Sequence, residues 1–339
     1  MNCSGCLKDQ DEEGYCRKCL KEIFDGKKVD HVLPFNSPFK EESNLYTDLT
    51  TKMSISGVQV KYSLRLEDEK LTLTEKGGQY ILKPVPVGQF KNLDQAPANE
   101  HLTMQIAKQL FKLTTPPNAI IYFQDGSPAY LVRRFDVKPD GSKFQQEDFA
   151  QIAQITEVTH GKNYKYDLSY EEISSLIKQH IPMYKVELEK FFRLVLFNYV
   201  FSNGDAHVKN FSAIQIETGD YVLTPVYDLL CTRIHTPGEA DMALTLFKDK
   251  FSEAYDALGF YTHFDFLLFG KKLGIRENRV LKIIEEFKNN EANVFSLIER
   301  AFLKEEIKAS YKDFYIDKIK RLKMEWADGN LWQGEALKN

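Results

Sequence analysis

Ser202-Asn203-Gly204-Asp205-Ala206-His207-Val208-Lys209-Asn210 follows the apolar run from Phe191 to Phe201. Asn203 and Gly204 both tolerate positive φ, so the pair predicts that a helix stops there and the chain reverses sharply. The turn presents Asp205, His207, Lys209 and Asn210 within one short loop. Moving a phosphoryl group from ATP to a hydroxyl needs a carboxylate beside the attacking oxygen and oxygen ligands for a charge-neutralising metal. Asp205 suits the first task and Asn210 the second, although the same residues also suit an ordinary polar turn.

Downstream, Phe211 to Ile216 and Tyr221 to Thr224 flank Glu217-Thr218-Gly219-Asp220 and predict a hairpin that brings Pro225-Val226-Tyr227-Asp228 back beside Asn210. Asp228 is then a second candidate metal ligand. The interval from Asp205 to Asn210 equals that of a protein-kinase catalytic loop, where the Asp orients the substrate hydroxyl and the Asn holds magnesium.

Upstream the texture is different. Val58, Val60, Tyr62, Leu64 and Leu66 alternate strictly and predict a strand with one buried face. The small-residue stretch Ser54-Ile55-Ser56-Gly57 before it could turn backbone N–H groups toward phosphate, although one glycine also fits a plain strand entry. Leu71 to Thr74 and Tyr80 to Pro84 read as further strands about a Gly77-Gly78 turn. Lys83 ends the second of these, where a lysine can reach ATP phosphates if a carboxylate holds it. Glu100 is available in the first turn of a helix predicted over 97–113, where it would also favour the helix dipole. Ala119 to Phe123 and Ala129 to Phe135 complete a mostly antiparallel sheet. From about Gln145 helices dominate, at 170–180, 185–201, 264–273, 276–288, 292–304 and 312–323.

The totals exclude several classes. A chain of 339 residues with 43% hydrophobic content can bury two sizeable cores. With 45 basic and 49 acidic residues, bulk charge implies neither nucleic-acid nor membrane binding. The most apolar helix candidate is interrupted by Lys190 and Arg193, and the start lacks a basic-then-apolar leader, so a cytoplasmic setting is expected. Cys3-x-x-Cys6 and Cys16-x-x-Cys19 can close a tetrahedron of thiolates around one structural zinc ion. A mobile tail of unligated thiols is the alternative. Cys231 has no partner at ligand spacing and reads as a buried apolar residue.

Five stretches carry a resemblance: Ser54-Ile55-Ser56-Gly57-Val58-Gln59-x-Lys61, Ala98-Asn99-Glu100, Leu131-Val132-x-Arg134-Phe135-Asp136, Asn203-Gly204-Asp205-x-His207-x-Lys209-Asn210 and Pro225-x-Tyr227-Asp228. In this order they resemble the HipA-like serine/threonine kinases, a family that contains bacterial toxins. The resemblance implies an α+β, two-lobed protein-kinase-like fold using ATP and Mg2+. It matches Ser54 to Lys61 to the ATP-phosphate loop, with Ser54 and Ser56 as autophosphorylation candidates. Lys83 matches the nucleotide lysine, Asp205 the catalytic aspartate, and Asn210 and Asp228 the magnesium ligands. His207 and Lys209 line the catalytic loop. Arg133, Arg134 and Phe135 fall at the adenine-contacting hinge, where family members often carry Glu in place of Arg133.

Classical HipA chains carry a larger sub-domain before this loop than the segment present here. The chain is similar to the short HipT-like form, which leaves that portion to a separate small HipS-like protein. The expected partners are a helix-turn-helix antitoxin and a protein substrate of the aminoacyl-tRNA synthetase kind, without direct nucleic-acid binding. The expected division is a zinc knuckle over 1–26, a strand-rich lobe over 27–136, a helical lobe over 137–325 and a tail over 326–339. A small-molecule kinase and a non-catalytic binding module of the same fold are the alternative functions.

Overall fold

The computed structural model describes residues 1–38, 51–52, 60–138, 140–249, 251–324 and 326. The fold is mixed α+β, and the chain separates into two compact units. The first comprises Met1–Lys143, Tyr227–Pro237 and Asn293–Tyr311. The second comprises Phe144–Val226, Gly238–Ala292 and the chain from Lys312 on. Among the described residues no helix is long and apolar enough to cross a membrane.

In the first unit, α1 (Arg17–Phe24) precedes strands β1 (Thr51–Lys52), β2 (Val60–Glu67), β3 (Lys70–Leu73) and β4 (Tyr80–Pro84). Helix α2 (Ala96–Leu110) and the hairpin β5 (Asn118–Tyr122) and β6 (Pro128–Arg133) follow. The sheet is antiparallel in the order β1-β2-β4-β6-β5, with β3 paired to β2. Alternation along β4 sends Tyr80 and Leu82 to one face and Lys83 to the other. Tyr80 and Leu82 join a cluster with Tyr62, Leu64, Leu131, Ile23 and Phe24. Helix α2 packs on β5 and β6. Its residues from Ala96 to Ala107 are all buried, which makes it a core helix rather than an amphipathic surface one.

The segment after α1 forms no helix over 25–38 but is anchored. Val29 and Leu33 are buried. Backbone bonds from Leu33 N–H to the Tyr122 carbonyl and from Tyr122 N–H to the His31 carbonyl run along β5. The amide of Ile120 donates to the Ser4 carbonyl at 2.9 Å. The amino-terminal residues thus cover the free edge of β5, whose unpaired N–H and C=O groups would otherwise invite another strand.

In the second unit, β7 (Gln146–Asp148), α3 (Phe149–Ile152) and α4 (Glu157–His160) lead to α5 (Tyr170–His180) and α6 (Tyr184–Val200). Next come β8 (Ser212–Gln215), β9 (Tyr221–Leu223), α7 (Glu253–Leu258), α8 (His263–Leu273) and α9 (Glu277–Lys288). The last two helices of the described residues, α10 (Glu291–Glu299) and α11 (Glu305–Leu322), each have residues in both units. Strands β7, β8 and β9 form the expected hairpin plus one strand that periodicity did not reveal. The helices α3 and α4, four residues each, were equally hidden; capping boxes at Asp148–Gln151 and Thr156–Thr159 define them. The last helix begins seven residues before the expected Lys312, at Glu305, because Ile307, Tyr311, Tyr315, Ile319 and Leu322 continue one buried stripe.

Candidate active site

Lys83 is buried, with only 3% of its surface exposed. Its Nζ donates to Glu100 Oε1 of α2 at 2.5 Å and pairs as well with the Asp228 carboxylate. Lys61 Nζ lies 3.9 Å from the other Asp228 oxygen. Two ammonium groups and two carboxylates therefore balance in a site where an unpaired charge would be costly. Burial works against the charge of Lys83, but Asp228 and then Glu100 outweigh it and hold the ammonium above the ordinary lysine range. Burial likewise raises the Glu100 carboxyl, against the pull of Lys83. At Lys61, Asp228 favours the charged form, yet burial and the neighbouring Lys83 bring its pKa below the usual lysine value.

The backbone delivers each member. Asp228 has φ 55°, a left-handed conformation that Asp adopts more readily than most residues. Three residues on, Asn99 of α2 takes the Cys231 N–H on Oδ1 at 3.0 Å and donates Nδ2 to the Cys231 carbonyl at 2.9 Å. That double bond ties the Asp228 segment to the helix that carries Glu100. Cys231 is buried, as its isolation in sequence suggested.

Of the residues expected at the hinge, Phe135 stacks on Tyr227 with ring centroids 6.0 Å apart. Arg134 forms an ion pair with Asp136. The Arg133 guanidinium makes a fork with Asp25 at 2.7 and 2.8 Å, so its side chain is spent on the end of α1.

In the second unit, α6 ends in the loop over 202–210. The left-handed residue of the turn is Ser202, at φ 49°, and neither Asn203 nor Gly204 has positive φ. Asn203 instead bonds back to Asn198, backbone to backbone at 2.8 Å and amide to amide at 3.0 Å. Gly204 is required by proximity: a Cβ there would lie 2.8 Å from the Ala240 carbonyl. The expected turn is present, but a different residue supplies its hand.

Asp205 Oδ1 accepts the Tyr166 hydroxyl at 2.7 Å, and the Asp205 carbonyl accepts the His207 N–H at 2.8 Å. His207 is buried, with its ring edge-on to Tyr166 at 5.6 Å. Asn210 Oδ1 accepts the His207 N–H at 3.1 Å, closing a 3-10 turn over 208–210. Lys209 is exposed and donates to the Tyr164 hydroxyl at 3.3 Å. The Tyr170 hydroxyl fixes the Ala206 carbonyl at 2.9 Å.

Tyr166 and Lys165 were not singled out from sequence. Tyr166 holds the Asp205 carboxylate, and burial followed by this hydrogen bond raises its own pKa. The Lys165 Nζ is buried over the Tyr166 ring at 4.9 Å, and burial pulls its pKa down against the charge of Asp205. The run Asn163-Tyr164-Lys165-Tyr166, alternating aromatic and basic side chains ahead of a helix, was the available signal.

The structure brings together Lys61, Lys83, Glu100 and Asp228 in the first unit, and Asp205, His207, Lys209 and Asn210 in the second. Ser54, Ile55, Ser56 and Gly57 lie outside the described residues. Cys3, Cys6, Cys16 and Cys19 form a cluster in which all four Sγ atoms lie within 4.8 Å of one another.

A family model described as "HipA-like C-terminal domain" matches residues 53–294. A Haemophilus influenzae protein named "Putative kinase" is 29% identical over 313 residues, which cover 87% of this chain and 89% of that protein. "Putative kinase Y4dM" of Sinorhizobium fredii is 30% identical over 216 residues, 59% of this chain and 50% of that one. Among solved structures, the Shewanella oneidensis toxin-antitoxin complex of HipA, HipB and operator DNA contains a chain that aligns with TM-score 0.62 at 20% identity, over 85% of this chain and 68% of that one. The Helicobacter pylori proinflammatory kinase CtkA aligns with TM-score 0.51 at 14% identity, over 78% and 90%. At these identities the two structures show a shared fold. Matched over most of its length by the family model, and alike nearly end to end to a kinase-named relative, this chain belongs to the HipA-like kinase family.

Proposed function

We propose that the chain is an ATP- and Mg2+-dependent protein serine/threonine kinase that acts in the cytoplasm as the HipA/HipT-like toxin of a toxin-antitoxin pair. The observation that carries this reading is Lys83, buried on a strand and held by a helix carboxylate and by Asp228. Burying an ionised lysine is unfavourable unless it is paired, and this arrangement keeps an ammonium charged where phosphates need neutralising.

Each candidate ligand suits magnesium by its own chemistry, because the Asn210 amide and the Asp228 carboxylate both carry hard oxygen donors of the kind that ion takes alongside phosphate and water. Bound magnesium supplies charge neutralisation on the phosphates. Lys83 and Lys61 are the cations that meet phosphate oxygens. Asp205, oriented by Tyr166, accepts the hydrogen bond of the acceptor hydroxyl and takes its proton as the phosphoryl group moves. His207 and Asn210 keep the loop closed around it. The hinge backbone around Arg133 to Phe135 is the adenine contact.

Phosphate on Ser54 or Ser56 adds about two negative charges where the nucleotide phosphates belong, and so weakens ATP binding. The partners in this reading are a helix-turn-helix antitoxin, a small HipS-like protein, and a protein substrate of the aminoacyl-tRNA synthetase kind. The four amino-terminal cysteines are ligands of one structural zinc ion.

The test is incubation of the purified chain with labelled ATP and a cell lysate, alongside Asp205→Asn. We expect label on lysate protein and on Ser54 or Ser56 by mass spectrometry, reduced about a thousandfold in the variant with unchanged thermal unfolding. Turnover retained in Asp205→Asn, or label confined to metabolites, would refute the reading.

A further inference from the structure

Three consecutive side chains of α2 reach three different places. Asn99, Glu100 and His101 are each 2% exposed or less. Asn99 binds both backbone groups of Cys231, Glu100 binds Lys83, and His101 Nε2 donates to the Gly5 carbonyl at 3.0 Å. Gly5 lies between Cys3 and Cys6. Further along the helix, Gln109 donates to the Cys6 carbonyl at 2.9 Å, and Lys108 pairs with Glu22 of α1 at 2.6 Å. The cysteine cluster is therefore fastened to the same helix that places Glu100.

The cluster has the dimensions of a metal site. Zinc–thiolate bonds of about 2.3 Å in a tetrahedron put neighbouring sulfurs about 3.8 Å apart. Cys6 and Cys16 Sγ are 3.8 Å apart. A disulfide would need about 2.05 Å. The N–H groups of Gly5 and Cys16 point at Cys3 Sγ at 3.4 and 3.2 Å, as donors that favour a thiolate. A Cβ on Gly5 would lie 2.6 Å from Cys19 Sγ, so only glycine lets this turn close on the fourth sulfur.

We propose that Cys3, Cys6, Cys16 and Cys19 bind one zinc ion, releasing their thiol protons to solvent, and that the loaded knuckle is the clamp holding α2 in place for the Lys83–Glu100 pair. The consequence for nucleotide binding rests on the kinase reading; the metal site and its hold on α2 do not. The turns that carry the four cysteines are short and polar, and the metal provides the rigidity that the Gly5 and Cys6 carbonyls pass to the helix.

The experiment uses the full chain. Zinc is measured by elemental mass spectrometry, and hydrogen exchange is followed in peptides from α2 and α6 before and after chelation. We expect one zinc per chain, and exchange in α2 about tenfold faster after chelation with α6 unchanged. His101→Phe keeps the ring contact with Phe302 but removes the N–H donor. It is expected to retain zinc, speed α2 exchange and raise the KM for ATP, with His101→Gln restoring both. A chain that takes up no zinc, metal loss that leaves α2 protected, or equal loosening of α6 would each overturn the clamp. Metal-dependent α2 protection in a chain that binds no ATP would sink the kinase reading and uphold this one.

Discussion

The loop over 202–210 and the cluster around Lys83 place charge in opposite ways. In the loop the candidate side chains are neighbours in sequence, and their bonds run to the same stretch or to tyrosines just ahead of α5. In the cluster the partners stand far apart, with 17 positions between Lys83 and Glu100 and 145 between Lys83 and Asp228. The loop keeps Asp205 half-exposed, whereas the cluster closes Lys83 and Glu100 away from water. A local turn can be built by short-range bonds alone. An ion quartet with Lys83 and Glu100 buried at its centre needs a sheet, a helix and a returning segment to arrive together, so its loss should be felt in folding as well as in chemistry.

Replacing Lys83 by Met is the strongest way to separate the two regions. It leaves the buried Glu100 carboxylate and the half-buried Asp228 carboxylate without their shared cation, at a cost of about 3–5 kcal/mol. Chemical denaturation should show that loss, and nucleotide binding should vanish with it. An unchanged midpoint would mean the quartet does not hold the first unit together.

Tyr166→Phe should act on the other side of the comparison. It removes one hydrogen bond to a carboxylate, worth about 1.5–3 kcal/mol when the acceptor is charged. We expect turnover to fall by about tenfold or more while stability changes little. A loss confined to stability would show that Tyr166 only supports packing. The smallest effect belongs to Arg133→Ala. Its fork with Asp25 is partly exposed, and such pairs are worth about 0.2–1 kcal/mol. Nucleotide affinity should be unchanged; a clear loss would return the guanidinium to the adenine site.

Much of this architecture was legible beforehand. Alternation marked β2, the 3.6-residue period marked α5, α6, α8 and α9, and turn residues marked the β8–β9 hairpin. Those signals come from burial on one face, which repeats along the chain. The helices α3 and α4 and the strand β7 were too short to repeat anything and depend on caps or on a neighbouring strand. The Asn203-Gly204 turn was anticipated for the wrong reason. Its hand comes from Ser202, and the need for glycine comes from the Ala240 carbonyl, which no local pattern announces.

By itself the sequence determined the chemical inventory: a carboxylate, an amide and a histidine in one turn, a lysine ending a strand, a glutamate opening a helix and two cysteine pairs. Side-chain type and short spacing carry that information because local backbone geometry is set by adjacent residues. Only the tertiary structure decided that Lys83 has two carboxylate partners, that Arg133 turns to Asp25, that Tyr166 steadies Asp205 and that His101 reaches the cysteine turn. Each of those contacts joins residues whose separation along the chain is unrelated to their distance in space. Packing of sheet against helix, driven by apolar burial and by the cost of leaving buried polar groups unpaired, is what selects them.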